Sequence, residues 1–294
     1  MKVVVKVNGG LGNQMFQYAL GRKLAITRGA ELFLDLSFFD LPEGIHTSRP
    51  FELDVFNVNY QRASLEMLLA FERRRSSRSR RVLQRLMPRL ASDRMFRERG
   101  FPFDPSVFGV ADGTYVDGHW QSERYFNDVS ATIRKDFAFA QAPAPEVQRT
   151  LDRIASCNAV SLHIRRGDYV THNSASQFHG VCDVDYYMRA VALLSERVQA
   201  PSLFIFSDDL DWAQEHLRFD MPKTFVDASA SAGNWNDMRM MSQCKHHIIA
   251  NSSFSWWGAW LNPDPDKVVV APSRWFLDPS IDTRDLVPSG WIRL

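Results

Sequence analysis

Two adjacent arginines, Arg165 and Arg166, sit in the heptad His163-Ile164-Arg165-Arg166-Gly167-Asp168-Tyr169, directly behind the apolar run 159–162. Alternation across 158–162 predicts a buried strand, and Gly167 permits a sharp turn past its end. Guanidiniums at the carboxyl end of a strand in an α/β sheet stand where such sheets bind ligands. Arginine's planar fork is permanently charged and matches phosphate oxygens two at a time. The chemistry this suggests is the gripping of a diphosphate. A structural Arg–Asp pair closing the loop is the competing reading.

Two further segments have the same character. A β-branched run at 3–7 leads into Asn8-Gly9-Gly10-Leu11-Gly12-Asn13-Gln14, then a helical pattern through Met15, Ala19, Leu20, Leu24 and Ala25. Strand, glycine turn and helix form a βα unit whose first N–H groups can face an anion. The third glycine of a dinucleotide fingerprint is missing, so a plain tight turn fits equally well. Near the other end, Asn251-Ser252-Ser253-Phe254-Ser255-Trp256-Trp257-Gly258-Ala259-Trp260-Leu261 follows the strand-like His247-Ile248-Ile249-Ala250. Serine and asparagine at such a boundary cap a helix and can also bond a phosphate. The tryptophans could stack on a ligand, but Trp257 and Trp260 read at least as well as core filler.

These residues need elements to carry them. Behind an Ala- and Pro-rich stretch at 136–148, which reads as an interdomain linker, strands and helices alternate. Strands are predicted at 158–163, 202–207, 223–227, 246–250 and 267–271. Helices are predicted at 184–197, 209–217, 235–243 and from 253. That rhythm is a parallel sheet wrapped by helices. The first 135 residues are less regular but open on the same βα unit.

Composition bounds the function. A chain of 294 residues, 45% hydrophobic, can hold two cores, and a net charge of +1 argues against a general nucleic-acid binder. No apolar run approaches the roughly 20 residues of a membrane span, and the start lacks a signal-peptide core. Three scattered cysteines, Cys157, Cys182 and Cys244, suit a reducing compartment, so a cytoplasmic location is expected. The histidines show no zinc-like spacing, and Asp183 and Asp185 read as helix-start residues rather than metal ligands. The segment 73–99 departs from the rest: eleven arginines against Asp93 and Glu98 leave it at net +9. Within it Val82, Leu83, Leu86, Met87 and Leu90 keep a helical spacing. That pattern is an exposed amphipathic helix or a surface for anionic lipid, with peripheral membrane contact.

Six motifs in order carry a resemblance. Gly-Gly-Leu-Gly-Asn-Gln-Met-Phe-Gln-Tyr-Ala at 9–19, the heptad at 163–169 and the segment 251–261 resemble the bacterial α-1,2-fucosyltransferases, glycosyltransferase family 11. So do Trp120-Gln121-Ser122-Glu123-Arg124-Tyr125-Phe126, His179-Gly180-Val181-Cys182 with Tyr186-Tyr187, and Phe206-Ser207-Asp208-Asp209. The resemblance implies an α/β, GT-B-like fold of two Rossmann-type domains facing across a cleft. The N-terminal one, at 1–140, would take the acceptor, and the C-terminal one, at 150–294, would bind GDP-fucose. It implies inverting, metal-independent transfer of L-fucose from GDP-β-L-fucose to the 2-hydroxyl of a galactoside. The setting would be bacterial surface-glycan (O-antigen) synthesis, in which the acceptor could be lipid-linked. Two alternatives stand: α-1,6 regiochemistry, or a nucleotide-sugar-binding module without catalysis.

By the same resemblance, Arg165 grips the β-phosphate, while Gly12 and Asn13 reach it or the fucose from the first turn. Asn251, Ser252, Ser253 and Phe254 complete the donor site, and Asp237 reads guanine. Arg166 shares the load or pairs with Asp168; Asp208 serves ribose or structure; His163 contacts the nucleotide or anchors the loop. The catalytic base stays open among Asp168, His172, His179, Glu123 and Asp117, with Glu123 and His172 on the acceptor side. The leaving phosphate itself could also take the proton.

Overall fold

The valine-rich opening forms β1 (Lys2–Lys6), and its side chains Val3, Val4 and Val5 are buried. In this computed structural model the described residues are 1–41, 49–76, 95–167, 180–227 and 233–294. They fold as two compact units, Met1–Ala140 and Gln141–Leu294. Each is built on an all-parallel sheet, so the chain is α/β with two Rossmann-type units, the GT-B-like class.

In the first unit β1 leads through the glycine turn into α1 (Leu11–Arg28), then β2 (Glu31–Asp35), β3 (Gln61–Arg62) and α2 (Leu65–Ser76). β4 (Met95–Arg97), β5 (Thr114–Asp117) and α3 (Ser130–Asp136) follow. The strand order is β3-β2-β1-β5-β4. The chain therefore winds outward from β1 on one side and returns on the other, reversing between β1 and β5. α1 is buried along most of its length, with Met15, Tyr18, Ala19 and Leu20 packed inside.

The second unit begins with α4 (Pro145–Ala155) and β6 (Asn158–Ile164), then α5 (Val184–Ser195), β7 (Pro201–Ser207), α6 (Leu210–His216) and β8 (Lys223–Val226). α7 (Trp235–Gln243), β9 (His246–Ile248), α8 (Ser253–Leu261), β10 (Val269–Ala271) and β11 (Ile292–Arg293) complete it. Its order, β11-β10-β9-β6-β7-β8, reverses between β6 and β9. Strand alternation sorts the two faces of β6. Val160, Leu162 and Ile164 join Leu203, Ile205, Tyr187 and Leu194 in one core. On the other side Ser161 Oγ meets His247 Nδ1 at 2.8 Å, and Asn262 Nδ2 meets His247 Nε2 at 3.0 Å, so this buried histidine is fully engaged in structure.

The expected linker at 136–148 is shorter than its composition suggests. Asp136 ends α3 buried, accepting from Tyr18 Oη and Arg22 Nε, and Phe137 is buried beyond it. Phe139 bridges to Phe56, and α4 starts at Pro145. Apolar and paired groups outweigh the local alanine and proline signal. Asp183 caps α5 by accepting from Tyr186 N, and Asp185 pairs with Arg189, the helix-start roles expected of them. The expected amphipathic pattern at 82–90 lies outside the described residues. Among the described residues no helix is long and apolar enough to cross a membrane.

Candidate active site

At a reversal of winding, the loops leaving two neighbouring strands diverge and open a crevice at their carboxyl ends. In the second unit the register sets Leu162 beside Ile248, so the residues after β6 and β9 emerge side by side. From β6 come His163, Arg165, Arg166 and Gly167; from β9 come Asn251, Ser252 and Ser253. Contact between the His163 and Phe254 rings, 5.8 Å between centroids, shows the two loops meeting.

Arg165 Nη1 lies 2.9 Å from Asp208 Oδ2, and Asp208 Oδ1 accepts Arg166 N at 2.8 Å. One carboxylate thus aims the first guanidinium and holds the backbone of the second. Both side chains of the Arg165–Asp208 pair keep about a quarter of their surface in solvent. Gly167 makes this approach possible, since a β-carbon there would come within 2.9 Å of Asp208 Oδ2. Arg166 is drawn away: Nε lies 3.3 Å from Asp209 Oδ2, and the guanidinium sits 3.9 Å above the Trp212 ring. Trp212 in turn stacks on His216. Asp168, expected as a partner of Arg166, lies outside the described residues; the described partner of Arg166 is Asp209.

His163 is buried, and its Nδ1 has no hydrogen-bond partner among the described residues. Burial lowers its pKa to about 4, with Asp208 opposing and Arg165 reinforcing the shift. The ring is therefore neutral at pH 7. Ser252 caps α8, its Oγ accepting from Phe254 N, while Ser253 is part-exposed in the first turn. Asn251 is spent on the fold: Nδ2 donates to the carbonyls of Gly180 and Trp275, and Oδ1 accepts from Cys182 Sγ. Trp256, Trp257 and Trp260 are all buried and pack on one another.

Asp237 lies in the first turn of α7, whose start faces the carboxyl-end side because crossover helices run opposite to parallel strands. It is buried, and its Oδ1 has no partner among the described residues. Burial first, then repulsion from Asp227, pushes its pKa up to about 7. A lone buried acceptor is costly unless a donor reaches it, which suits a site that waits for N–H groups.

The first unit places its own polar groups at the reversal between β1 and β5. Gln17 accepts Asn8 N through Oε1, and donates through Nε2 to Asn8 Oδ1 and to Gly118 O. Gln14 Nε2 donates to Gly9 O and Pro50 O. Asn13 Oδ1 accepts Gln121 Nε2 at 2.8 Å. Gly9 has φ +74°, and a β-carbon there would lie 2.9 Å from Asn13 Nδ2. Gly12 is buried in the first turn of α1. Beside the loop after β5, Glu98 accepts His119 N at 2.6 Å and Trp120 N at 3.0 Å. Burial pushes its pKa up to about 7 against the pull of those two N–H groups. Asp117 is held by Arg97 at 3.2 Å and Lys6 at 3.7 Å. Glu123 opens a short 3-10 turn, Glu123–Tyr125, and its charge acts on Arg134.

His172 and His179, like Asp168, lie outside the described residues, so Asp117 and Glu123 are the base candidates with described surroundings. The sequence reading missed Trp212, counted Glu98 only as a charge, and quoted Asp209, Gln14, Gln17 and Gln121 within motifs without giving them a role. The signal for the glutamines was present: amides within stretches otherwise apolar enough to be core. Among the described residues no three His, Cys, Asp or Glu side chains gather as a metal site.

The chain is similar to known proteins over most of its length. The sequence model of glycosyl transferase family 11 matches residues 68–294. An alpha-1,2-colitosyltransferase of Escherichia coli is 34% identical, covering 99% of this chain and 98% of its own. The O-antigen biosynthesis glycosyltransferase WbnK of Escherichia coli is 33% identical, covering 98% and 99%. Among solved structures, fucosyltransferase NodZ from Bradyrhizobium is similar at 13% identity and a TM-score of 0.45, covering 89% of this chain and 93% of that one.

Proposed function

The chain belongs to glycosyl transferase family 11, and from that premise we propose that it transfers L-fucose from GDP-β-L-fucose to the 2-hydroxyl of a galactoside, forming an α-1,2 linkage. The observation that carries this reading is Arg165, aimed by Asp208 at the winding reversal between β6 and β9. A departing nucleoside diphosphate gains negative charge as the glycosidic bond breaks, and preorganised donors at that position lower the barrier. Arg165 supplies charge and a planar fork, and the first turn of α8 with Ser253 supplies N–H and hydroxyl donors. Asp237 accepts from the guanine edge. Arg166 supports the loop through Asp209 and Trp212. Similarity to WbnK supports a setting in O-antigen assembly. A lipid-linked galactoside as acceptor, with the chain working at the inner face of the membrane, completes the proposed setting.

A second reading has a specific observation behind it. The colitosyltransferase relative matches over nearly the whole chain, so a colitosyl donor competes with the fucosyl one. The test offers GDP-fucose and the corresponding colitosyl nucleotide to the protein with a panel of β-galactosides, in EDTA and in Mg²⁺, followed by linkage analysis. Fucosyl transfer in α-1,2 linkage that survives EDTA is expected. Preference for the colitosyl donor, an α-1,6 product, or donor binding without turnover on any acceptor would each replace this function.

A further inference from the structure

The last turns of α1 wall a cavity of about 610 Å³ that lies wholly within the first unit. The helix returns from the carboxyl-end side of the sheet, so Lys23, Thr27 and Arg28 stand toward the opposite edge. At about 1.5 Å of rise per residue, Lys23 is about 15 Å along the helix from Asn13. None of the residues assigned to the donor lines this cavity.

Its facing wall is aromatic. Phe103 and Phe108, both half-buried, meet at 6.0 Å between ring centroids, and Phe103 packs on the buried Tyr125 ring at 4.9 Å. Tyr125 Oη accepts Asp104 N at 3.0 Å, tying ring and chain together. Cations stand at the margin of these rings, each held by a defined contact. Arg28 Nη2 donates to Phe108 O at 2.7 Å, and the Arg124 guanidinium lies 4.3 Å from the Phe103 centroid. Lys23 Nζ lies 5.9 Å from the Phe108 centroid and pairs with Asp128. Among the described residues lining the cavity, three cations therefore face one carboxylate. No carboxylate among the described residues pairs with Arg28, whose partner is a neutral carbonyl.

This lining selects its guest. Phenyl rings have no polar tip and favour an apolar face, such as the C–H face of a sugar ring. Guanidinium and ammonium groups beside them favour an anionic group attached to that face. Thr27 Oγ1 spends its hydrogen on Lys23 O and keeps lone pairs for a sugar hydroxyl. A bare anion would leave the rings unused, and a neutral sugar would leave the positive charge unused. We infer that this cavity is a subsite for an acidic sugar, its C–H face on Phe103 and Phe108 and its carboxylate at Arg28. The subsite goes beyond the proposed transfer and does not depend on which sugar the donor carries.

The experiment is saturation-transfer NMR and titration of the full chain, without donor, using methyl β-glucuronide as probe. Methyl β-glucoside and inorganic phosphate are the controls. The glucuronide should bind about fivefold more tightly than the glucoside, the gain open to a partly exposed ion pair, and lose that advantage in high salt. Saturation should reach its ring protons, and excess GDP should not displace it. Arg28→Gln should bring the glucuronide down to the affinity of the glucoside. Thr27→Trp, at an exposed helix position, keeps every charge and should block both sugars, with the thermal midpoint within a few degrees of wild type. Equal binding of the two sugars, phosphate competing as well as the glucuronide, displacement by GDP, or Thr27→Trp binding as wild type does would each overturn the inference. None of these readouts uses turnover, so failure of the proposed transfer would be seen separately.

Discussion

In the proposed transfer Arg165 would do at the scale of one side chain what a bound cation does in other diphosphate transferases, aimed by its carboxylate partner Asp208. Arg165→Ala should lower kcat by about 10²–10³-fold, the scale of losing a preorganised donor worth about 3–4 kcal/mol, while the circular dichroism spectrum and urea midpoint stay near wild type. Arg165→Lys should recover only part, because a point charge cannot make the two-pronged contact. Single-turnover kinetics with GDP-fucose measures this, and a near-normal kcat for the alanine variant would strip Arg165 of its role. Asp237 makes a second prediction through its raised pKa. With the carboxyl at about 7 in the free protein, the protonated form accumulates as pH falls. Only the ionised form accepts two N–H groups from a guanine edge. Donor kcat/KM should therefore fall about tenfold per pH unit below 7 and level off above it. Asp237→Asn should be weak at every pH and lose that acidic limb; a wild-type profile flat from pH 5.5 to 8 would contradict the assignment.

Elements differ in how openly the sequence displays them, and the difference is physical. β6 to β10 and their helices read to within a few residues, because buried runs of Val, Ile, Leu and Phe alternate with amphipathic stretches and capping residues. β3 (Gln61–Arg62) and β4 (Met95–Arg97) are short outer strands with mixed side chains; register against β2 and β5 makes them strands, and no local pattern does. The site divides the same way. Arg165 and the serine turn stand out by type and position, but the Asp208 partnership spans 43 residues. It follows from the β6–β7 register, which sets Ile164 beside Ser207 and so makes Arg165 and Asp208 the next pair. Arg166 could be read as ligand or support from sequence; its seat between Asp209 and the Trp212–His216 stack is a tertiary fact. That seat can be tested on α6. Trp212→Leu removes a cation–π contact worth about 0.5–2 kcal/mol and should lower urea stability by that order. Its effect on kcat should be far smaller than that of Arg165→Ala. A loss of activity matching Arg165→Ala without loss of stability would mean Arg166 and Trp212 touch the donor directly.

Across the whole molecule the charge is distributed very unevenly. The chain carries +1 in total, yet 73–99 carries +9, leaving the rest at −8. Such separation costs self-repulsion within the segment, and a partner of opposite sign relieves it. Each Lys or Arg near an anionic leaflet contributes about 1 kcal/mol, less where salt screens it, so part of this segment suffices for reversible binding. Apolar side chains at Val82, Leu83, Leu86, Met87 and Leu90 would add shallow insertion to that attraction. Residues 77–94 lie outside the described residues, and charge and spacing carry the proposed membrane contact. It gains purpose from the proposed acceptor, since a galactoside on a lipid diphosphate is presented at a membrane surface and a free oligosaccharide is not. Sedimentation with anionic vesicles at low salt should carry the protein down, and neutral vesicles or high salt should release it. Changing Arg78, Arg80, Arg81 and Arg85 together to Gln should abolish the binding while leaving transfer to a soluble galactoside intact. Equal, negligible binding to both vesicle types would make the segment an ordinary solvated surface, and transfer that fails on the soluble acceptor in the same variant would place those arginines in acceptor binding instead.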